Sequence, residues 1–119
     1  MGELKMEILE QKVRKKLQQK NNVELIEILQ EFFETAPTLF QEMEQALQKF
    51  DPQTIESSAI KLRKAAKAIG APGLTSSCRE LEDAARTNDL TLSEKLLREV
   101  IHLFDELKSF VDSEIERTG

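Results

Sequence analysis

Apolar residues recur three and four positions apart along nearly the whole of this chain, and only four glycines and three prolines interrupt them. That spacing lines apolar side chains along one face of a helix, whereas a half-buried strand needs them at every second position. Glu, Lys, Gln, Leu and Ala, all good helix formers, dominate the remaining positions. A chain of this kind is expected to be helical almost throughout. Its 119 residues suit one compact domain, and with six Phe but no Trp or Tyr the core must come from Leu, Ile, Val, Ala and Phe.

Breaks in the periodicity mark the elements. Leu4, Ile8, Leu9, Val13 and Leu17 predict an amphipathic lead-in helix. Asn21 with Glu24 suggests a capped start for a second helix, with Val23, Ile26, Leu29, Phe32 and Phe33 on its inner stripe. Pro37 bends it, and Leu39, Phe40, Met43, Ala46, Leu47 and Phe50 carry the stripe onward, so Val23 to Lys49 is expected as one long element. Asp51-Pro52 starts a third helix running to about Ile69, because Asp accepts from free N–H groups and Pro at the first position forfeits no needed donor. Gly70 ends it, and Ala71-Pro72-Gly73 leads into a shorter helix with Leu74, Cys78, Leu81, Ala84 and Ala85 inside. Asn88 and Asp89 close that helix. Thr91 with Glu94 predicts a capping box for the last one, whose inner face is Leu92, Leu96, Val100, Phe104, Leu107, Val111 and Ile115.

Short connections make successive long helices antiparallel. The expected architecture is all-α: an up-down-up-down four-helix bundle over residues 22–116, preceded by an accessory helix in residues 1–20, as one domain spanning 1–119. The lead-in stripe packs across the end of the bundle or pairs two copies into a homodimer through residues 4–17.

With 17 basic and 22 acidic residues the net charge is -5, which opposes general nucleic-acid affinity. Nothing resembles a signal peptide or an apolar run of about 18 residues, and a lone Cys78 has no internal disulfide partner. A cytoplasmic setting, without membrane insertion, is the expectation.

The informative string is Ala59-Ile60-Lys61-Leu62-Arg63-Lys64-Ala65-Ala66-Lys67-Ala68-Ile69-Gly70-Ala71. At about 100° per residue, Ile55, Ala59, Leu62, Ala66 and Ile69 share the buried face. Ile60 falls roughly 160° from Leu62, amid Gln53, Glu56, Lys64 and Lys67, with Arg63 at the edge. An apolar side chain is thus expected in the middle of the solvent-facing surface, with Glu56 available to pair with Arg63 or Lys64.

This string resembles the phosphorylation motif of histidine-phosphotransfer (HPt) domains, broadly His-x-Leu-Lys-Gly-Ser/Ala-Ala followed after a few residues by Gly-Ala. Leu62, Ala66, Gly70 and Ala71 match it. Phe33 to Leu39, with Ala36-Pro37, is similar to a segment of the family's second helix, and Cys78 to Glu82 followed by Ala84-Ala85-Arg86 is similar to its fourth. The likeness spans roughly Val23 to Ile115. It aligns Ile60 with the phosphate-accepting histidine, Arg63 with the following lysine and Lys64 with the glycine.

An imidazole nitrogen can attack a phosphoryl group, whereas a sec-butyl side chain has no lone pair. The resemblance therefore implies a pseudo-HPt domain. It is a phosphorelay-type interaction module, not an enzyme, that docks a response-regulator receiver domain or a histidine kinase through Ile60, Lys61, Arg63, Lys64 and Lys67. On this reading Arg63 keeps the positive charge of the family's lysine and is free to hold an anion.

Two readings compete with it. His102, the single histidine, could be the acceptor of a working phosphotransfer protein, although its position opposite Phe104 puts it among Lys95, Arg98, Glu99 and Glu106, where acidic neighbours repel a phosphoryl donor. Alternatively, the chain is a helical scaffold or oligomerisation module with no phosphorelay partner. Cys78 reads as a small core residue, and one His and one Cys on different surfaces make neither a metal site nor a cofactor site.

Overall fold

A computed structural model describes residues 7–118. Five helices follow one another, α1 (Gln11–Leu17), α2 (Val23–Gln48), α3 (Pro52–Ala68), α4 (Pro72–Arg86) and α5 (Leu90–Thr118), with no strand among the described residues. The four long helices form a ring in which α3 packs between α2 and α4, and α5 closes the circuit against α4 and α2. The core runs down the middle. Leu29, Met43, Ile55, Leu62, Cys78, Leu81, Val100, Leu107 and Val111 are fully buried there. Phe104 of α5 meets Phe32, Phe33 and Phe40 of α2 at ring-centroid distances of 5.7, 5.7 and 5.1 Å, a tilted and edge-to-face cluster that seals the α2–α5 seam.

Local signals set most helix ends. The Asp51 carboxylate accepts from the Thr54 backbone N–H (3.2 Å) and from the Thr54 hydroxyl (2.6 Å), and Pro52 occupies the first turn, as expected. Those hydrogen bonds hold the Asp51 pKa below its ordinary value of 3.8. Helices α2, α3 and α4 each stop at a left-handed residue, Phe50 (φ 56°), Gly70 (φ 74°) and Asn88 (φ 63°). In each case the next N–H reaches back to the last turn: Asp51 to the Ala46 carbonyl (2.8 Å), Ala71 to Ala66 (3.0 Å) and Asp89 to Ala84 (2.9 Å). This is the Schellman closure, which satisfies carbonyls a helix end leaves bare. Helix α2 runs through Pro37 without a break.

Several expectations change at the ends. The lead-in helix is shorter than residues 4–17, because residues 7–10 are drawn across the α3–α4 turn: the Glu10 N–H donates to the Gly70 carbonyl (2.8 Å) and the Gly73 N–H to the Glu7 carbonyl (3.1 Å). Backbone groups bonded to that turn are not free for an i→i−4 ladder, so α1 begins only at Gln11. Leu4 lies outside the described residues. Leu9 and Leu17 are fully buried in the chain's own core and Val13 packs against it, so this part of the stripe covers the end of the bundle rather than offering a surface to a second copy.

The Asn21–Glu24 cap does not form. Asn22 is the N-cap, and its buried amide donates to the Leu17 carbonyl, closing the α1–α2 connection instead of capping α2. Similarly, α5 starts at Leu90, two residues ahead of the start that the Thr91–Glu94 pattern predicts. There the Asp89 carboxylate accepts from Leu92 N–H (3.1 Å). Val23, Phe50 and Leu92, expected on inner stripes, are exposed by 62%, 78% and 40%. All three sit at helix ends.

Candidate functional site

The side of α3 that turns toward α4 carries Glu56, Ile60, Arg63 and Lys67, spaced so that each lies about one turn from the next. Across the antiparallel seam α4 presents Arg86, Glu82 and Arg79 in the reverse order. Two ionic rungs join the helices. Arg86 Nε donates to Glu56 Oε2 at 3.0 Å, and Arg63 Nε donates to Glu82 Oε1 at 2.8 Å. Arg86 links them, because its Nη2 reaches Glu82 Oε2 at 2.8 Å and its Nη1 reaches Asp83 Oδ1 at 2.9 Å. Both oxygens of the buried Glu82 carboxylate are thereby held by guanidinium groups, which offsets the cost of desolvating it.

This arrangement corrects two expectations about charge. Glu56 pairs with Arg86, not with Arg63 or Lys64. Glu56 and Arg63 stand two turns apart, about 10 Å along the axis, whereas α4 brings Arg86 directly opposite. Arg63 is not a free cation either. Its side chain is only 19% exposed and its Nε is committed to Glu82.

Ile60 is half-buried, not fully outward, yet it is not part of the core. It stands between the Glu56–Arg86 and Arg63–Glu82 rungs, so long side chains crossing from α4 pass it on either side and shield it partly. The wheel alone, which treats α3 as an isolated helix, could not register that screen. Lys61, Lys64 and Lys67 are exposed and make no ion pair among the described residues. Lys64 and Lys67 lie within about 40° of Ile60 around the helix, while Lys61 turns about 100° away, toward the other flank. The proposed site residues therefore divide: Ile60, Lys64 and Lys67 share one face, Arg63 is sequestered at its edge, and Lys61 stands apart.

Beyond Lys67 the face opens into a groove of about 340 Å³ at the α3–α4 turn. Lys67, Gly70, Thr75, Ser76 and Arg79 line it, with Glu10 from the N-terminal strap. Arg79 is a residue that sequence reasoning missed. Its only sequence signal is its place in the segment resembling the family's fourth helix, and its position beside Lys67 comes from the packing of α3 on α4.

His102 lies on α5, outside the α3–α4 face. It is exposed, and its Nε2 is 3.1 Å from Glu106 Oε2. Cys78 is fully buried, and burial pushes its thiol pKa up from 9.0 to about 12, opposed in part by the charge of Arg63. At neutral pH it is therefore a protonated core side chain with little nucleophilic character. Among the described residues no three His, Cys, Asp or Glu side chains cluster as metal ligands, and no helix is long and apolar enough to cross a membrane.

No curated protein matches the chain. Among solved structures, the crystal structure of histidine-containing phosphotransfer protein B from Pseudomonas aeruginosa PAO1 has the same fold, with a TM-score of 0.81 and 24% identity over 92% of this chain and 96% of that one. The Hpt domain model matches residues 27–110, from the second turn of α2 into the last third of α5, and so contains the whole α3–α4 face. This chain belongs to the Hpt domain family and is a phosphorelay-related signalling domain.

Proposed function

We propose that the chain is a non-catalytic docking module of the phosphorelay. It binds a response-regulator receiver domain or a histidine kinase through the α3 face around Ile60 and carries no phosphate itself. The observation that carries this reading is the identity of residue 60, an isoleucine where the family motif has its phosphate-accepting histidine. Carbon side chains have no lone pair with which to attack phosphorus. The surroundings agree. Lys64 puts a long charged side chain where a glycine would allow close approach, and Arg63 is tied to Glu82 rather than aimed at an incoming anion.

Being half-buried already, Ile60 has only part of its surface left to bury, worth about 1 kcal/mol in a complex. Steering by Lys64 and Lys67 then matters more for encounter. His102 is a spectator on this reading, paired with a carboxylate that repels a phosphoryl donor.

The test is transfer and binding together. Incubated with a phosphorylated receiver domain, the chain is expected to acquire no acid-labile phosphate, and Ile60→Asp is expected to weaken receiver binding about tenfold with helix content unchanged. Label appearing on His102, or a dissociation constant untouched by Ile60→Asp, would overturn the proposal.

A further inference from the structure

Six arginines punctuate the chain. Five of them hold carboxylates of the chain itself: Arg14 pairs with Glu7, Arg63 with Glu82, Arg86 with Glu56, Glu82 and Asp83, Arg98 with Glu94, and Arg117 with Glu114. Arg79 alone has no such partner among the described residues, in a chain whose acidic residues outnumber its basic ones. It is exposed, and it shares a groove with Lys67 and with the Thr75 and Ser76 side chains.

From these placements we infer that the docking face extends across the seam onto α4, and that the Arg79–Lys67 groove receives a carboxylate side chain of the bound receiver domain. This rests on the docking reading above. It replaces Arg63, whose side chain is 19% exposed and whose Nε is committed to Glu82, with Arg79 as the arginine that meets the partner.

Charge and position both select a carboxylate. A guanidinium fork matches the two oxygens of a carboxylate side by side, and Lys67 adds a second, mobile cation. Glu10 stands at the rim of the same groove, with Lys12 at 4.0 Å as its nearest cation. Two cations set against one carboxylate leave the groove net positive, enough for one anionic side chain. Lys67 also lies seven residues beyond Ile60, about 10 Å along α3. The groove therefore contacts the rim of a partner centred on Ile60, not the atoms at its centre.

The experiment measures affinity for the host's receiver domains, purified one by one, with the full chain and three variants. Arg79→Glu is expected to raise the dissociation constant at least about tenfold. Lys95→Glu makes the same change in net charge at an exposed site on α5, and should change it less than about twofold. Removing the rim charge with Glu10→Gln should tighten binding. Urea midpoints and helix content confirm that each variant is folded. If Ile60→Asp weakens the complex and Arg79→Glu does not, the extension onto α4 is wrong while the docking reading stands. If Arg79→Glu and Lys95→Glu weaken it equally, only net charge is being sensed, and the groove assignment is again wrong. If no receiver binds the parent chain, the groove assignment falls, and the docking reading then stands or falls on binding to a histidine kinase measured in the same way.

Discussion

Gly70→Ala tests how the N-terminal strap, the α3–α4 turn and the motif glycine fit together. Gly70 holds φ at +74°, where an L-side chain costs about 1–2 kcal/mol. A Cβ built there would stand 2.7 Å from Val13 Cγ2 and 3.2 Å from Glu10 Oε1. Val13 is β-branched and packed against the core, so relieving that contact means shifting α1, an overpacking cost of about 1–3 kcal/mol. Alanine returns about 0.4–1 kcal/mol by narrowing the unfolded ensemble. The net expectation is a loss of about 2–3 kcal/mol, or a fall in Tm of about 10 °C for a domain of this size. Urea and thermal unfolding followed by circular dichroism give the total. A double-mutant cycle with Val13→Ala separates the two causes, because trimming Val13 relieves the crowding and leaves the backbone cost, giving a coupling of about 1 kcal/mol or more. Hydrogen exchange at Glu10, whose N–H is bonded to the Gly70 carbonyl, should quicken in the single variant. A Gly70→Ala protein within about 0.5 kcal/mol of the parent, or a cycle with no coupling, would refute this account of the turn.

Two further outcomes follow from buried groups. Glu82→Ala strands Arg63 without its partner at 19% exposure, while Arg86 keeps Glu56 and Asp83; it should cost about 2–4 kcal/mol in urea unfolding, and a loss below about 1 kcal/mol would mean that water already serves Arg63. The Cys78 pKa, raised by burial from 9.0 to about 12, makes its contribution to stability complete below pH 9 and progressively lost as pH rises from there toward 12. Thiolate absorbance, free of overlap because the chain has no Trp or Tyr, should therefore appear in the native protein only near the upper figure; ionisation near pH 9 with the fold intact would contradict a buried thiol.

The elements themselves were legible along the chain because the forces that define them are local. Asp51-Pro52 caps α3 with groups three residues apart, Gly70 closes it through a bond to the preceding turn, and the inner-stripe positions from Leu29 to Phe104, Phe50 and Leu92 at helix ends excepted, fall inside at helical spacing. That residue 60 is an isoleucine, and that its string resembles the family motif, are properties of the residue order alone. What the order could not state is which charges find each other. Arg63 chooses Glu82 and Arg86 chooses Glu56, across separations of 19 and 30 residues, because antiparallel packing puts those side chains opposite one another. The same packing half-covers Ile60, gathers Lys67 and Arg79 into one groove and leads residues 7–10 over the Gly70 turn. Periodicity reports which way a side chain leaves its own helix, and only the neighbouring helix decides what it meets.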